Sequence, residues 1–162
     1  MRKILTPDLS LYFVKFYPYK SKRRSFKRHK VTIGIGGNIG NVIRRFKKLF
    51  LYLKRDKRVD IIATSPVLKN PPFGYLKQSD FYNAVIELKT NLSPKIFLKY
   101  ALHTEKFFHR KRFFKNSPRT LDIDIIFFDK IKISEKKLII PHPKYKERDS
   151  VMIPLNYIKG LK

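Results

Sequence analysis

Pro118-Arg119-Thr120-Leu121-Asp122-Ile123-Asp124-Ile125-Ile126-Phe127-Phe128 sets two carboxylates two residues apart in an apolar run, directly after an arginine. The run from Leu121 to Phe128 lies between Ser117-Pro118 and Asp129-Lys130, and this predicts a β-strand. Side chains alternate along a strand, so Asp122 and Asp124 share one face while Leu121, Ile123 and Ile125 share the other. A rise of about 3.3 Å per residue puts the two Cβ atoms roughly 6–7 Å apart. That gap suits two cations about 3.5–4 Å apart, as two-metal phosphoryl-transfer sites require. Carboxylate oxygens are also the ligands that Mg²⁺ prefers. An amphipathic edge strand with two solvated aspartates fits these residues equally well, so the neighbours must decide.

The rest of the composition makes that acidic pair conspicuous. The chain has 162 residues and a formal net charge of +26, with only 12 Asp and Glu against 38 Lys and Arg. At 43% hydrophobic it can bury one core, so a single domain is the default. The absence of cysteine excludes disulfides and thiolate metal sites and fits a reducing compartment. No apolar stretch is long enough to span a membrane. Met1-Arg2-Lys3 resembles the start of a signal peptide, but Asp8 and Lys15 interrupt the apolar region behind it, so a cytoplasmic protein is expected. The basic residues are mostly lysine, spread along the whole chain beside abundant Ile, Phe, Asn and Tyr. That pattern points to A+T-rich coding. Attraction to polyanions, nucleic acid included, is then expected as a nonspecific consequence of charge.

Residues 1–30 read as a basic amino-terminal arm, partly disordered, because Tyr19 to Lys30 is almost continuous Lys and Arg with Ser and His. Leu9 to Tyr17 is apolar enough to form a short strand or helix docked on the body. The domain proper is placed at residues 31–162. Val31 to Ile35 predicts a strand, Gly36 to Gly40 a loop, and Asn41 to Lys54 a helix burying Ile43, Phe46, Leu49, Phe50 and Leu53. Val59 to Thr64 is a second strand. Ser65 to Ser79, with Pro66, Pro71, Pro72 and Gly74, reads as a long irregular loop. Phe81 to Lys89 is a third strand. A helix starts at Ser93-Pro94 and runs to about Phe108, burying Ile96, Phe97, Tyr100, Ala101, Thr104 and Phe108. After the Asp-x-Asp strand come a turn, a short strand and a proline-marked tail from Pro141. This order predicts an α+β fold: a ferredoxin-like α/β sandwich with a mixed, mostly antiparallel sheet and helices packed on it.

Gly36-Gly37-Asn38 lacks the third glycine of a dinucleotide fingerprint and the Gly-Lys-Ser/Thr of a P-loop, so a tight turn with asparagine near a helix N-cap is the better reading. His109-Arg110-Lys111-Arg112 and Arg119 flank the acidic pair. Arginine forks bind phosphate oxygens and stabilise the charge of phosphoryl transfer. Phe81 and Asn83 share a strand face, and a ring with an amide can hold a flat heterocycle by stacking and edge hydrogen bonds. Each of these has an ordinary structural explanation on its own.

Together and in this order, the segments resemble the 6-hydroxymethyl-7,8-dihydropterin pyrophosphokinase family of folate biosynthesis. The matching stretches are Gly36-Gly37-Asn38-Ile39-Gly40, Pro71-Pro72-Phe73-Gly74, Gln78-x-Asp80-Phe81-x-Asn83-Ala84, and Glu105 with Arg110 and Arg112. They continue with Pro118 to Ile125 and with Pro141-His142-Pro143 through Arg148 to Pro154-Leu155. The resemblance implies transfer of pyrophosphate from ATP to the pterin hydroxymethyl group. Asp122 and Asp124 would hold two Mg²⁺ ions, and Arg110 and Arg119 would grip phosphates during transfer. Glu105, Arg110, Arg112, Arg119, His142 and Arg148 would serve ATP. Pro71, Phe73, Phe81 and Asn83 would form the pterin pocket, with the long loop and the basic loop closing over the substrates. A monomer is expected. The family usually has glycine at His109 and Ser117 and an aromatic ring at Ser150; Tyr75, Phe113 and Phe114 are candidate replacements for that ring. Residues 1–30 have no counterpart in the family pattern.

Two other classes compete. A basic ferredoxin-like sheet is also the architecture of RNA-recognition modules, but the Lys/Arg-Gly-Phe/Tyr-Gly/Ala-Phe signature is absent and two carboxylates would repel the ligand. A nucleotidyltransferase would carry its glycine turn close before Asp-x-Asp, whereas here the whole span from Gly37 to Asp122 intervenes.

Overall fold

The computed structural model describes residues 1–161. The central strand, β4 (His29–Gly37), is flanked by β7 (Phe81–Thr90) on one side and β8 (Asp122–Phe128) on the other. The outer edge of β7 is shared by β5 (Val59–Thr64) along its second half and β6 (Val67–Asn70) at its start. Helix α1 (Val42–Arg55) crosses from β4 to β5, and α2 (Pro94–Phe107) from β7 to β8. Every strand pairing among the described residues is antiparallel, so the α+β sandwich is as expected while its sheet has no parallel pair to make it mixed.

Local chemistry accounts for both crossover helices. Asn41 caps α1 by accepting from the Arg44 backbone N–H, and Val42, Phe46, Leu49, Phe50 and Leu53 form its buried stripe, with Ile43 only half-buried. Pro94 starts α2 at the one position where its missing N–H costs nothing, and Phe97, Tyr100, Ala101 and Thr104 face the sheet. Ile96 is exposed. Phe46, Phe50, Phe97 and Phe128 are fully buried in the resulting core; each stabilises by about 1.5–3 kcal/mol relative to exposure.

Three parts of the chain differ from what the residues predict. The amino-terminal segment, read as a basic arm with one docking stretch, pairs along more of its length: β1 (Arg2–Ile4) pairs with β2 (Ser10–Tyr12), β2 with β6, and β3 (Tyr19–Lys20) with β5. Tyr17 lies at 0% exposure in the main core, donating from its hydroxyl to the Phe46 carbonyl at 3.0 Å. Lysine and arginine reach water from an edge strand without preventing its backbone from pairing. The span Ser65–Ser79 is not wholly irregular, because β6 docks on β7 between its prolines. The tail beyond Pro141 contains a 3₁₀ turn at Tyr145–Glu147 and a helix, α3 (Asp149–Gly160), around Pro154. Val151, Pro154, Leu155 and Ile158 repeat at helical spacing, and burial of that stripe outweighs the backbone hydrogen bond that Pro154 cannot donate.

Helices α1 and α2 cover one sheet face, while α3 packs on the other, against Ala63, Val85 and Ile126. The face an RNA-recognition module would leave open is thus partly closed. A short hairpin of β9 (Ile133–Glu135) and β10 (Leu138–Ile140) follows β8. No helix among the described residues is long and apolar enough to cross a membrane.

Candidate active site

Strands β7, β4 and β8 bring three chemistries side by side. Gly36 of β4 pairs with Asn83 on one side and Asp122 on the other, and Gly34 is opposite Asp124. Residues of equal parity along β7 and β8 put Phe81, Asn83, Asp122 and Asp124 on the sheet face that carries α3. Glycine forms the floor between them. A Cβ at Gly36 would lie 2.5 Å from Asn83 Oδ1, so only hydrogen there lets the carboxamide lie against the strand. Gly36 and Gly37 therefore belong to β4 and not to the tight turn that their sequence suggests, and the N-cap of α1 is Asn41.

Above this floor opens a cleft of about 530 Å³. Pro71, Phe73, Phe81 and Asn83 line it together with Arg110, Arg112, Arg119, Asp122, Asp124, His142 and Arg148. Glu105 is the exception. It is 3% exposed, is not among the residues that line this cleft, and accepts from the Ile123 N–H at 2.8 Å and from Arg110 Nη1 at 3.4 Å. Arg112 Nη2, on a largely exposed side chain, lies 3.9 Å from its other oxygen. The Glu105 carboxylate lies beneath the arginines, bonded to Arg110 and within ion-pair reach of Arg112. Burial raises its pKa; the Ile123 hydrogen bond opposes that, and the Asp122 charge adds to it.

The two aspartates differ in their surroundings. Asp122 is held by Arg110 Nη1 and lies 3.4 Å from Arg119 Nε. Asp124 has no hydrogen bond and no ion pair within 4 Å among the described residues. Burial, and next the charge of Asp122, push its carboxyl up to about 7, against the pull of Arg148. A crowded, unpartnered carboxylate beside a second one is what a divalent cation relieves. Among the described residues no third His, Cys, Asp or Glu joins them. This matches the habit of Mg²⁺, which takes one or two carboxylates and completes its shell with water and substrate phosphate.

The arginines have donors to spare. Nε of Arg110, Arg119 and Arg148 is buried with no hydrogen-bond partner, a costly arrangement unless an anion is to be received. The Arg119 guanidinium lies over the Phe81 ring at 4.7 Å, and that of Arg148 near Phe73 at 5.8 Å. His142 accepts from the Lys144 N–H through Nδ1 at 3.3 Å, and burial, followed by the Arg148 charge, lowers its pKa. A neutral imidazole thus stands between the main cleft and a second cavity of about 240 Å³. Leu98, Ile125, Leu138 and Lys137 line that second cavity, and Asp124 and His142 are common to both.

Several contacts that organise the site could not be read from the sequence. Asn38 donates from Nδ2 to Gln78 Oε1 at 2.9 Å and the Ser79 carbonyl at 3.0 Å, and accepts from the Arg119 N–H at 2.9 Å. Gln78 in turn donates to the Asn116 carbonyl at 3.0 Å. These bonds tie the proline loop to the basic loop. Asn70 Oδ1 accepts from Asn83 Nδ2 at 2.6 Å. Such pairings join positions from 13 to 81 residues apart, so neither partner announces the other. Ser150 lines the cleft, as does Phe114 of the basic loop, which is set edge-on to Tyr75 at 5.2 Å; Phe113 is exposed. His109, one of the two positions where the resemblance leads one to expect glycine, adopts a left-handed φ of 63°; at the other, Ser117, the left-handed residue is its neighbour Asn116, at 59°.

Comparison with known proteins gives the family. The family model for 7,8-dihydro-6-hydroxymethylpterin-pyrophosphokinase matches residues 32–160. A 2-amino-4-hydroxy-6-hydroxymethyldihydropteridine pyrophosphokinase of Helicobacter pylori is 45% identical over 157 residues, covering 96% of this chain and 92% of its own length. The enzyme of that name from Campylobacter jejuni is 45% identical over 145 residues, covering 89% of this chain and 92% of its own. One from Bacillus subtilis is 33% identical over 123 residues, covering 76% and 74%. The Helicobacter alignment leaves only a few residues of this chain uncovered, so most of the amino-terminal segment is shared with that relative. With the paired aspartates, the arginines around them and the Phe81–Asn83 face on one cleft, the chain belongs to the 7,8-dihydro-6-hydroxymethylpterin-pyrophosphokinase family.

Proposed function

We propose that this single cleft carries out the family reaction, with Phe81 and Asn83 at the pterin end and the arginines and aspartates at the polyphosphate end. The enzyme transfers pyrophosphate from ATP to 6-hydroxymethyl-7,8-dihydropterin, releasing AMP, a step of folate biosynthesis. The observation that carries the assignment of roles is the convergence, on one cleft, of three arginines whose buried Nε donors are unfilled and of two carboxylates. Two Mg²⁺ ions held by Asp122 and Asp124 would supply neutralisation of the triphosphate and of the charge that builds up in transfer.

The protein side of the reaction follows from the contacts. A pterin stacking on the Phe81 face that Arg119 covers would displace this guanidinium and loosen the pairing of Arg119 with Asp122. Binding the heterocycle thereby frees an arginine for phosphate and a carboxylate for cation. Asn83, held flat by Gly36 and oriented by Asn70, offers its amide to the pterin edge. Arg110, aligned by Glu105 and the Leu121 carbonyl, and Arg148 receive phosphate oxygens. The nucleoside extends past His142 into the smaller cavity, where Leu98, Ile125 and Leu138 give an apolar slot for a base. Since one chain supplies both ends of the cleft, a monomer suffices, and the use of ATP as co-substrate fits a cytoplasmic enzyme.

Product analysis tests this reading. AMP, and no ADP, is expected from ATP only when both the hydroxymethyl pterin and Mg²⁺ are present. Asp122→Ala and Asp124→Ala should each abolish turnover with an unchanged far-UV spectrum. Full activity in either variant would refute the metal assignment.

A further inference from the structure

The amino-terminal segment precedes the residues matched by the family model, yet it reaches the cleft. Ser10 of β2 pairs with Lys69 of β6, and one step further along that register sets Leu9 beside Asn70, the partner of Asn83. The hairpin tip is held in place by its own backbone. The Leu9 carbonyl accepts from the Leu5 and Thr6 N–H groups at 2.9 and 3.3 Å, and the Leu9 N–H donates to the Thr6 hydroxyl at 3.1 Å. Arg2 Nη2 donates to the buried Ser10 hydroxyl at 3.1 Å, fixing the strand behind the tip. Phe13 sets its ring edge-on to Tyr157 of α3, the helix whose first turn carries Ser150. The half-buried Leu9 therefore lines the same cleft as Asn70, Asn83 and Ser150.

We propose that Leu9 is a pterin-contacting residue, and that the amino-terminal hairpin is a wall of the substrate pocket. Ser150 offers only a hydroxymethyl group to the cleft and so adds little apolar cover there. A leucine on a backbone-fixed tip supplies it, because apolar surface removed from water on both partners favours binding. This inference rests on the pterin assignment of the Phe81–Asn83 end.

The test is equilibrium binding of 6-hydroxymethylpterin to the full-length chain with Mg²⁺ and a nonhydrolysable ATP analogue, compared across Leu9→Ala, Leu9→Met and Leu5→Ala. Leu5, on the same hairpin, does not line the cleft. Leu9→Ala is expected to weaken pterin binding about tenfold, to leave nucleotide affinity within about twofold, and to be largely rescued by methionine. Unchanged pterin affinity in Leu9→Ala overturns the proposal. So does an equal loss in Leu5→Ala, which would mean that the hairpin only braces β6. Failure of the parent chain to bind the pterin at all would instead overturn the assignment of the Phe81–Asn83 end, and this proposal with it.

Discussion

Replacing Asp124 by asparagine keeps the outline of the side chain and removes its charge. In the metal-free protein, burial and the neighbouring Asp122 raise the Asp124 carboxyl from an ordinary 3.8 to about 7. The folded chain then holds a proton that the unfolded chain has already lost, so stability falls as pH climbs from about 4 to 7 and stays low above that. At about 1.4 kcal/mol per pH unit, ionising Asp124 in place costs about 4 kcal/mol at pH 8. An amide in the same position is itself poorly hydrogen-bonded, which gives back about 2 kcal/mol. The variant is therefore expected to be about 2 kcal/mol more stable than the parent at pH 8, roughly 4–8 °C in melting temperature for a chain of this size. At pH 5 the parent carboxyl is protonated and the advantage should largely vanish. Thermal unfolding in EDTA at both pH values measures this directly. Adding Mg²⁺ with an ATP analogue at pH 8 should stabilise the parent and not the variant, which should also be inactive. Melting curves of parent and variant that move in parallel from pH 5 to pH 8 would show that Asp124 is not a strained carboxylate awaiting a cation.

Gly36→Ala should raise the pterin dissociation constant by about tenfold or more, because its methyl group would meet Asn83 Oδ1; calorimetry with a bound ATP analogue would show it, with nucleotide affinity less affected. Tyr17→Ala should cost about 4 kcal/mol in urea unfolding, since a fully buried ring and its hydroxyl bond to Phe46 are lost together; a loss under 1 kcal/mol would return residues 1–30 to the status of a tail. His109→Gly should stabilise by about 1 kcal/mol, as φ at this helix-terminating position is in the left-handed region; no gain in melting temperature would mean that the imidazole makes a compensating contact.

The strands and helices that position the site were legible where one chemical pattern repeats locally. Alternation marked Asp122–Phe128 as a strand and put both aspartates on one face, and a 3.6-residue repeat marked α1 and α2. Leu9 to Tyr17 could be read as a docking segment, but not that Tyr17 would enter the core or that β3 would pair with β5, since both depend on surfaces distant in sequence. Proline concealed β6 and α3 for a related reason: each is stabilised by docking, on β7 and on Val85 and Ile126 respectively, rather than by its own propensities. The spacing of the chain alone determined which residue types could do phosphoryl chemistry and that two carboxylates would stand together. Only the tertiary structure decided that Gly36 would lie between Asn83 and Asp122, that Asn38 would clamp two loops, that Glu105 would work from beneath, and that Leu9 would reach the cleft. Those relations are made by strand register and long-range packing, and a residue carries no local mark of a neighbour that folding alone brings to it.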